Sequence, residues 1–340
     1  MTFRHLGCLL CIGLFLFSSC DRESQQLVEM TGAALGTTYS IKFSAHSSQK
    51  STEALHTGIK SVIEQVDRSM SVHRQESEIS RFNRSTELKW FEVSEPLFDV
   101  ITQSQQISEA SNGAFDITIG RLIELWGFGV SEAMQGMPSP ADIQSALHAS
   151  GYEHLELSPD KKAIRKTRSD LILNLSAIAK GYAVDRVSVF LETQGISSYL
   201  VEIGGEIRTK GSKAGQNPWL VAIERPEISK RSIYKIVELS DLSMATSGDY
   251  RNFYEINGKR YSHTIDPSTG RPVENRVASV TVIHPSCMVS DALATTLAVK
   301  GYEQGKRFAD EQGYAVLWIL RNPDGIEEKL SNHFNRDLFH

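Results

Sequence analysis

Five short segments bring together residue types that can act on a charged, phosphate-bearing ligand. In Ser290-Asp291-Ala292-Leu293-Ala294-Thr295-Thr296 a carboxylate and a hydroxyl stand four residues apart. On a helix that Ser290 is suited to cap, this spacing puts Asp291 and Thr295 on one face. Both offer hard oxygen ligands, and a site with only one or two such groups suits Mg²⁺, which keeps waters and takes further ligands from substrate phosphates. Taken alone, the segment reads more simply as a helix start where Asp291 answers the dipole and Thr295 packs. The stretch Leu171-Ile172-Leu173-Asn174-Leu175-Ser176-Ala177-Ile178-Ala179-Lys180 reads as a buried strand that turns into a helix near Ser176. Its small residues let a ligand approach the backbone, and unpaired N–H groups at a helix start favour anionic oxygens such as a pyrophosphate. Lys180 adds a positive charge there; an ordinary junction with a solvated lysine is the plainer alternative.

Two glycines interrupt Val201-Glu202-Ile203-Gly204-Gly205-Glu206-Ile207, which marks a bulge or a close pass of backbone. No G-x-G-x-x-G follows a strand and no G-x-x-x-x-G-K-[ST] loop occurs, so the Rossmann and P-loop readings lack their diagnostic residues. Tyr261-Ser262-His263-Thr264-Ile265-Asp266-Pro267-Ser268-Thr269-Gly270 carries a histidine from the end of a strand into a turn stiffened by Pro267 and Gly270. An imidazole on such a scaffold can take a hydroxyl proton near neutrality, although with ten histidines in the chain a structural role is the commoner one. Ala245-Thr246-Ser247-Gly248-Asp249-Tyr250 reads as a small polar turn suited to line a phosphate.

These segments need a scaffold. Thr37 to Phe43 alternates as a strand, while Leu55, Ile59, Val62, Ile63 and Val66 recur at helical spacing. Ser139-Pro140-Ala141-Asp142 supplies a cap, a first-turn proline and an acid at the third position, which predicts a helix start. Further strands are expected at Leu171 to Leu175, Tyr199 to Ile203, Trp219 to Ile223, Ile233 to Leu239, Ala278 to Ile283 and Tyr314 to Leu320. Strands outnumber helices and several are joined by short turns, so a mixed α+β fold with largely antiparallel sheets fits better than a doubly wound parallel sheet.

The chain has 340 residues, 40% of them hydrophobic and 23% charged, with a formal charge of −5. That composition requires a substantial core and offers no broad cationic surface for nucleic acid. Three of four cysteines fall at Cys8, Cys11 and Cys20, leaving Cys287 alone in the body, which excludes a disulfide-stapled fold. Arg4 and His5 precede an apolar run from Leu9 to Phe17, too short for the ~20 residues of a membrane span but suited to a secretory signal. Phe17-Ser18-Ser19-Cys20 resembles a bacterial lipobox, which implies a signal peptide over 1–19, lipidation at Cys20 and a tether over 20–26. An ordinary secretory signal or an uncleaved anchor are the alternatives. Asp21 resembles an inner-membrane retention signal, giving an expected location on the periplasmic face of a bacterial inner membrane. Residues 27–340 read as one unit, with two lobes an open alternative.

The order and wording of these segments resemble the ApbE family of periplasmic FAD:protein FMN transferases. The likeness runs through Leu35-Gly36-Thr37-Thr38-Tyr39, Met70-Ser71, Ser77-Glu78-Ile79-Ser80-Arg81-Phe82-Asn83, Gly113-Ala114-Phe115-Asp116-Ile117-Thr118 and Leu125-Trp126-Gly127-Phe128-Gly129. It implies a T-fold-related α+β architecture with FAD in a central cleft, Mg²⁺ as cofactor, and transfer of FMN to a threonine or serine hydroxyl with release of AMP. By resemblance, Asp291, Thr295 and the Ala177 carbonyl form the magnesium site. Leu35, His73, Ala114, Phe115, Asp116, Asn174, Lys180 and Ile265 contact FAD, and His263 is the general base. Asn174 stands where an aspartate is frequent and His73 where a tyrosine is common. The implied acceptors are membrane redox subunits such as those of the sodium-pumping NADH:quinone oxidoreductase. An FAD pyrophosphatase and a non-catalytic flavin-binding lipoprotein are the rival functions.

Overall fold

Alternating side chains explain why the central sheet is covered on both faces. In the Tyr199–Ile203 strand, Tyr199, Val201 and Ile203 enter one apolar cluster while Leu200 packs on another. In Ala315–Asn322, Val316, Trp318 and Leu320 oppose Leu317 and Ile319. Successive side chains leave a strand on opposite sides, so two apolar faces demand two covering layers. Each fully buried aliphatic side chain contributes about 1.5–3 kcal/mol, well above the ~0–1 kcal/mol of an exposed ion pair.

A computed structural model describes residues 26–45, 51–130, 136–213, 217–227, 232–249, 253–256 and 259–340. The expected signal segment and Cys20 lie outside them. Eight strands form one antiparallel sheet in the order Gln26–Ala34, Thr37–Ala45, Tyr199–Ile203, Glu206–Lys210, Ser243–Gly248, Val277–His284, Ala315–Asn322 and Gly325–Leu330. Helices Ala179–Thr193 and Cys287–Gln312 pack on one face, with Thr52–Met70 against the former. The hairpin Trp219–Glu224 and Ile233–Leu239 covers the other together with Phe334. A third apolar cluster joins Leu122, Trp126, Ile143 and Ile265. The expected α+β class and antiparallel pairing are what the chain adopts.

The Thr52–Met70 helix buries Leu55, Ile59, Ile63 and Val66 as its spacing predicts, and the Pro140–His148 helix has both reciprocal bonds of a capping box between Ser139 and Asp142. Four local expectations are corrected. Leu171–Leu175 is not a sheet strand; apart from one parallel bridge, Ile119 to Ile172, its backbone bonds elsewhere. The Asn83 side-chain amide stands in for a neighbouring strand, donating to the Leu173 carbonyl and accepting from its N–H, both at 2.8 Å. The Cys287–Gln312 helix is capped by Ser286 rather than Ser290. Gly204-Gly205 is the two-residue turn of a hairpin, with φ of +64° and +102° that only glycine adopts readily, rather than a bulge. Ser243–Gly248 is a strand whose end carries Thr246 and Ser247, not a turn.

Lys166 also braces the Leu171–Leu175 stretch. Its side chain belongs to a residue 1% exposed, and its ammonium donates to the carbonyls of Leu171 at 3.1 Å and Asn83 at 3.4 Å above the Phe82 ring. Burial pulls its pKa from the ordinary 10.5 down to about 8. Below that value folded and unfolded chains both hold the proton; between it and 10.5 only the unfolded chain does, so this group makes stability rise with pH across that window. Lys166→Met should flatten the rise when urea midpoints are compared at about pH 7.5 and about pH 9.5. An unchanged pH slope would show that the ammonium is not desolvated.

Candidate active site

The site is assembled where two helices touch. Because Ser286 caps the Cys287–Gln312 helix, Asp291 falls in its second turn, beyond the residues that answer the helix dipole. The simpler reading of Asp291 is thereby removed. Asp185, from the neighbouring helix, fixes the start of this one: its carboxylate accepts from the Cys287 N–H at 3.1 Å, the Met288 N–H at 3.0 Å and the Ser286 hydroxyl at 2.8 Å. Arg208 pairs with the same group at 2.6 Å. Cys287 packs in the core, where burial pushes its thiol well above the usual range.

Asp291 is 5% exposed, and its Oδ2 accepts the Gly181 N–H at 3.0 Å. Glycine is required at 181 by space: a Cβ there would lie 2.3 Å from the Cys287 carbonyl oxygen and 2.8 Å from the Asp291 Cβ. Gly181 is the third residue of the Ala179–Thr193 helix, so its N–H is one of the first-turn donors with no partner inside that helix. Asp291 takes up this donor beside the cavity wall, which Ala177 lines just ahead of the helix. Asn174 shapes the preceding turn, its Oδ1 accepting the Ser176 N–H at 2.9 Å. An aspartate would make the same bond, so the amide preserves the turn and omits only the charge.

Lys180 crosses this junction. Its Nζ lies 3.3 Å from Glu206 Oε1 and 3.6 Å from Asp291 Oδ1. Burial alone would lower its pKa, but the two carboxylates outweigh that and hold it raised. Glu206, 5% exposed, is pushed by burial well above the usual carboxylate range, the Asp291 charge adding to the rise and Lys180 opposing it. Burial likewise takes Asp116 up to about 6, against bonds from the Thr118 N–H and hydroxyl at 2.7 and 2.6 Å and the Tyr152 N–H at 3.0 Å.

These groups face a cavity of about 550 Å³, within the range of small-ligand sites. Ala114, Phe115, Asp116, Asn174, Ala177, Lys180, His263, Ile265, Asp291 and Thr295 all line it. A second cavity of about 770 Å³ meets it at Asn174. Leu35 and His73 are not among the lining residues. Leu35 forms a hairpin turn with Gly36, at φ of +50° and +75°, just before Thr37 and Thr38, which do line the cavity. His73 is exposed after the Thr52–Met70 helix. Glu206 lines the cavity too, and its only mark in the sequence is that of an acid beside two glycines at a strand start.

The His263 segment is held from behind. Trp126 donates its indole N–H to the Gly270 carbonyl at 2.8 Å and stacks on Tyr261 with ring centroids 5.9 Å apart. Tyr254 donates to the Gly127 carbonyl at 2.7 Å, and Phe128 meets the His263 ring edge-on at 6.3 Å. The Leu125-Trp126-Gly127-Phe128-Gly129 motif is thus a buttress for the histidine.

A profile of the ApbE family matches residues 35–318. The chain belongs to the ApbE family. The FAD:protein FMN transferase of Vibrio cholerae is 41% identical over 321 residues, covering 94% of this chain and 95% of its own. That of Escherichia coli K12 is 35% identical, covering 97% and 96%. The solved flavin transferase ApbE from Vibrio cholerae superimposes at a TM-score of 0.85 with 41% identity over 91% of this chain and 98% of that one. Pseudomonas stutzeri flavinyl transferase ApbE gives 0.84 at 36% identity, over 93% and 97%. In this ApbE-family chain the helix contact at Gly181 can be tested directly. Gly181→Ala should destabilise by about 1–3 kcal/mol in urea unfolding, because overpacking exceeds alanine's ~1 kcal/mol advantage within a helix. A neutral or stabilised variant would mean that the helices are further apart.

Proposed function

We propose that this chain is an FAD:protein FMN transferase, moving FMN from FAD to a threonine or serine hydroxyl of an acceptor protein with release of AMP. The observation that carries the proposal is the convergence of Asp291, Thr295, Ala177 and His263 on one cavity from three separate stretches of chain. The names of the relatives support flavin transfer.

The donor set fits Mg²⁺. Among the described residues no three His, Cys, Asp or Glu side chains gather into a metal cage. One carboxylate, one hydroxyl and a carbonyl just ahead of a helix start instead suit an ion that completes its shell with water and phosphate. Asp291, Thr295 and Ala177 would hold it, and when bound it would supply charge neutralisation and polarisation at the diphosphate.

The chain's own groups do the rest. Lys180 places positive charge between two carboxylates at the cavity wall, where it also faces an anionic substrate. Ala114, Phe115, Asp116, Asn174 and Ile265 form walls against which FAD is oriented. His263 takes the proton of the acceptor hydroxyl as that oxygen bonds to the FMN-side phosphorus and the bond to the AMP oxygen breaks. Such transfer depends mainly on alignment and charge stabilisation. The acceptors we favour are membrane redox subunits of the sodium-pumping NADH:quinone oxidoreductase type. Lipidation at Cys20 would hold the enzyme beside them on the periplasmic face of the inner membrane.

The test incubates the whole protein with FAD, Mg²⁺ and an acceptor peptide, followed by mass spectrometry. An FMN adduct on the peptide is expected; free FMN without adduct would replace transfer by hydrolysis, and neither product would leave a binding protein. His263→Ala should retain FAD affinity while transfer falls about 10²–10⁴-fold; loss of binding together with rate would make the histidine structural. Asp291→Ala should abolish magnesium-dependent turnover, and full activity at undiminished magnesium affinity would remove it from the site.

A further inference from the structure

We infer that Glu206 is a further member of the cation site, its Oε2 holding a water of the cation's hydration shell. The inference rests on the cation reading of Asp291, Thr295 and Ala177 given above. Glu206 opens the Glu206–Lys210 strand immediately after the Gly204-Gly205 turn, and it lines the cavity although 95% of the residue is buried. Its two oxygens are treated differently. Oε1 lies 3.3 Å from Lys180 Nζ, whereas Oε2 is buried with no hydrogen-bond partner among the described residues. A buried carboxylate oxygen left unsatisfied is costly, and an ion or an ordered water is among the partners that relieve that cost.

Position indicates which donor. Lys180 reaches Glu206 on one side and Asp291 Oδ1, at 3.6 Å, on the other, so the two carboxylates flank a single ammonium. Two acid side chains on either side of one base give a hydrated divalent cation oxygen acceptors for its waters along this wall. Mg²⁺ and Mn²⁺ retain several waters, and carboxylates that bind those waters set affinity alongside the direct ligands.

The experiment measures Mn²⁺ binding to the whole protein without FAD, by electron paramagnetic resonance and calorimetry. Glu206→Gln, which keeps shape and an acceptor for Lys180, should weaken Mn²⁺ about tenfold or more. Glu206→Asp, which retracts the oxygens but keeps the charge, should fall between it and the parent, and it stands in should the first variant fail to fold. Mn²⁺ affinity within about twofold of the parent in a folded variant would overturn the inference. Asp291→Asn separates the two readings: if it loses Mn²⁺ while Glu206→Gln does not, only the role of Glu206 fails, and if it too binds normally, the cation site itself is misplaced.

Discussion

The hydrogen bond from the Gly181 amide to the Asp291 carboxylate is the constraint from which the rest of the site follows. It exists because a residue without a side chain lets two helices come together at Cys287 and Asp291. That amide is a first-turn donor without a partner in its own helix, so one short contact both satisfies it and seats an acid on the cavity wall beside Ala177. Neither helix could supply this arrangement alone, and the sheet beneath them keeps their separation fixed through its densely buried face.

Electrostatic balance is the second element of the design. Asp185 and Arg208 consume one acid at a helix terminus, where it makes structure. Asp291 and Glu206 share Lys180, where the charges are held near a cavity instead. The same residue type thus has two physical roles within one pair of helices, distinguished by how many of its oxygens are already satisfied. Asp116 belongs with the first role, since three donors occupy its carboxylate although it lines the cavity.

Much of this was legible in the chain. The spacing of Leu55, Ile59, Ile63 and Val66, the capping box at Ser139 and the alternation around Tyr199 were read correctly because local periodicity and burial coincide there. The shared face of Asp291 and Thr295 was also readable, as helical geometry fixes it. Leu171–Leu175 departs from the expected strand because alternating leucines record burial and not the source of the backbone's partners, which here are a side-chain amide and a lysine beside a single bridge to the 117–120 stretch. The helix start moved from Ser290 to Ser286 because two serines four apart are equally good caps, and the decision came from Asp185, a hundred residues away. Glu206 carries no local signal for the same reason, its meaning lying in Lys180 and Asp291. Resemblance alone brought in Leu35 and His73, and neither lines the cavity.

The aromatic buttress behind His263 has a consequence of its own. Trp126 is buried, stacked on Tyr261 and bonded to the backbone of Gly270, so its indole samples the seating of the segment that carries the imidazole. The chain holds four tryptophans, so once the other three are replaced, emission from this ring gauges optically how that segment is seated, with no label attached.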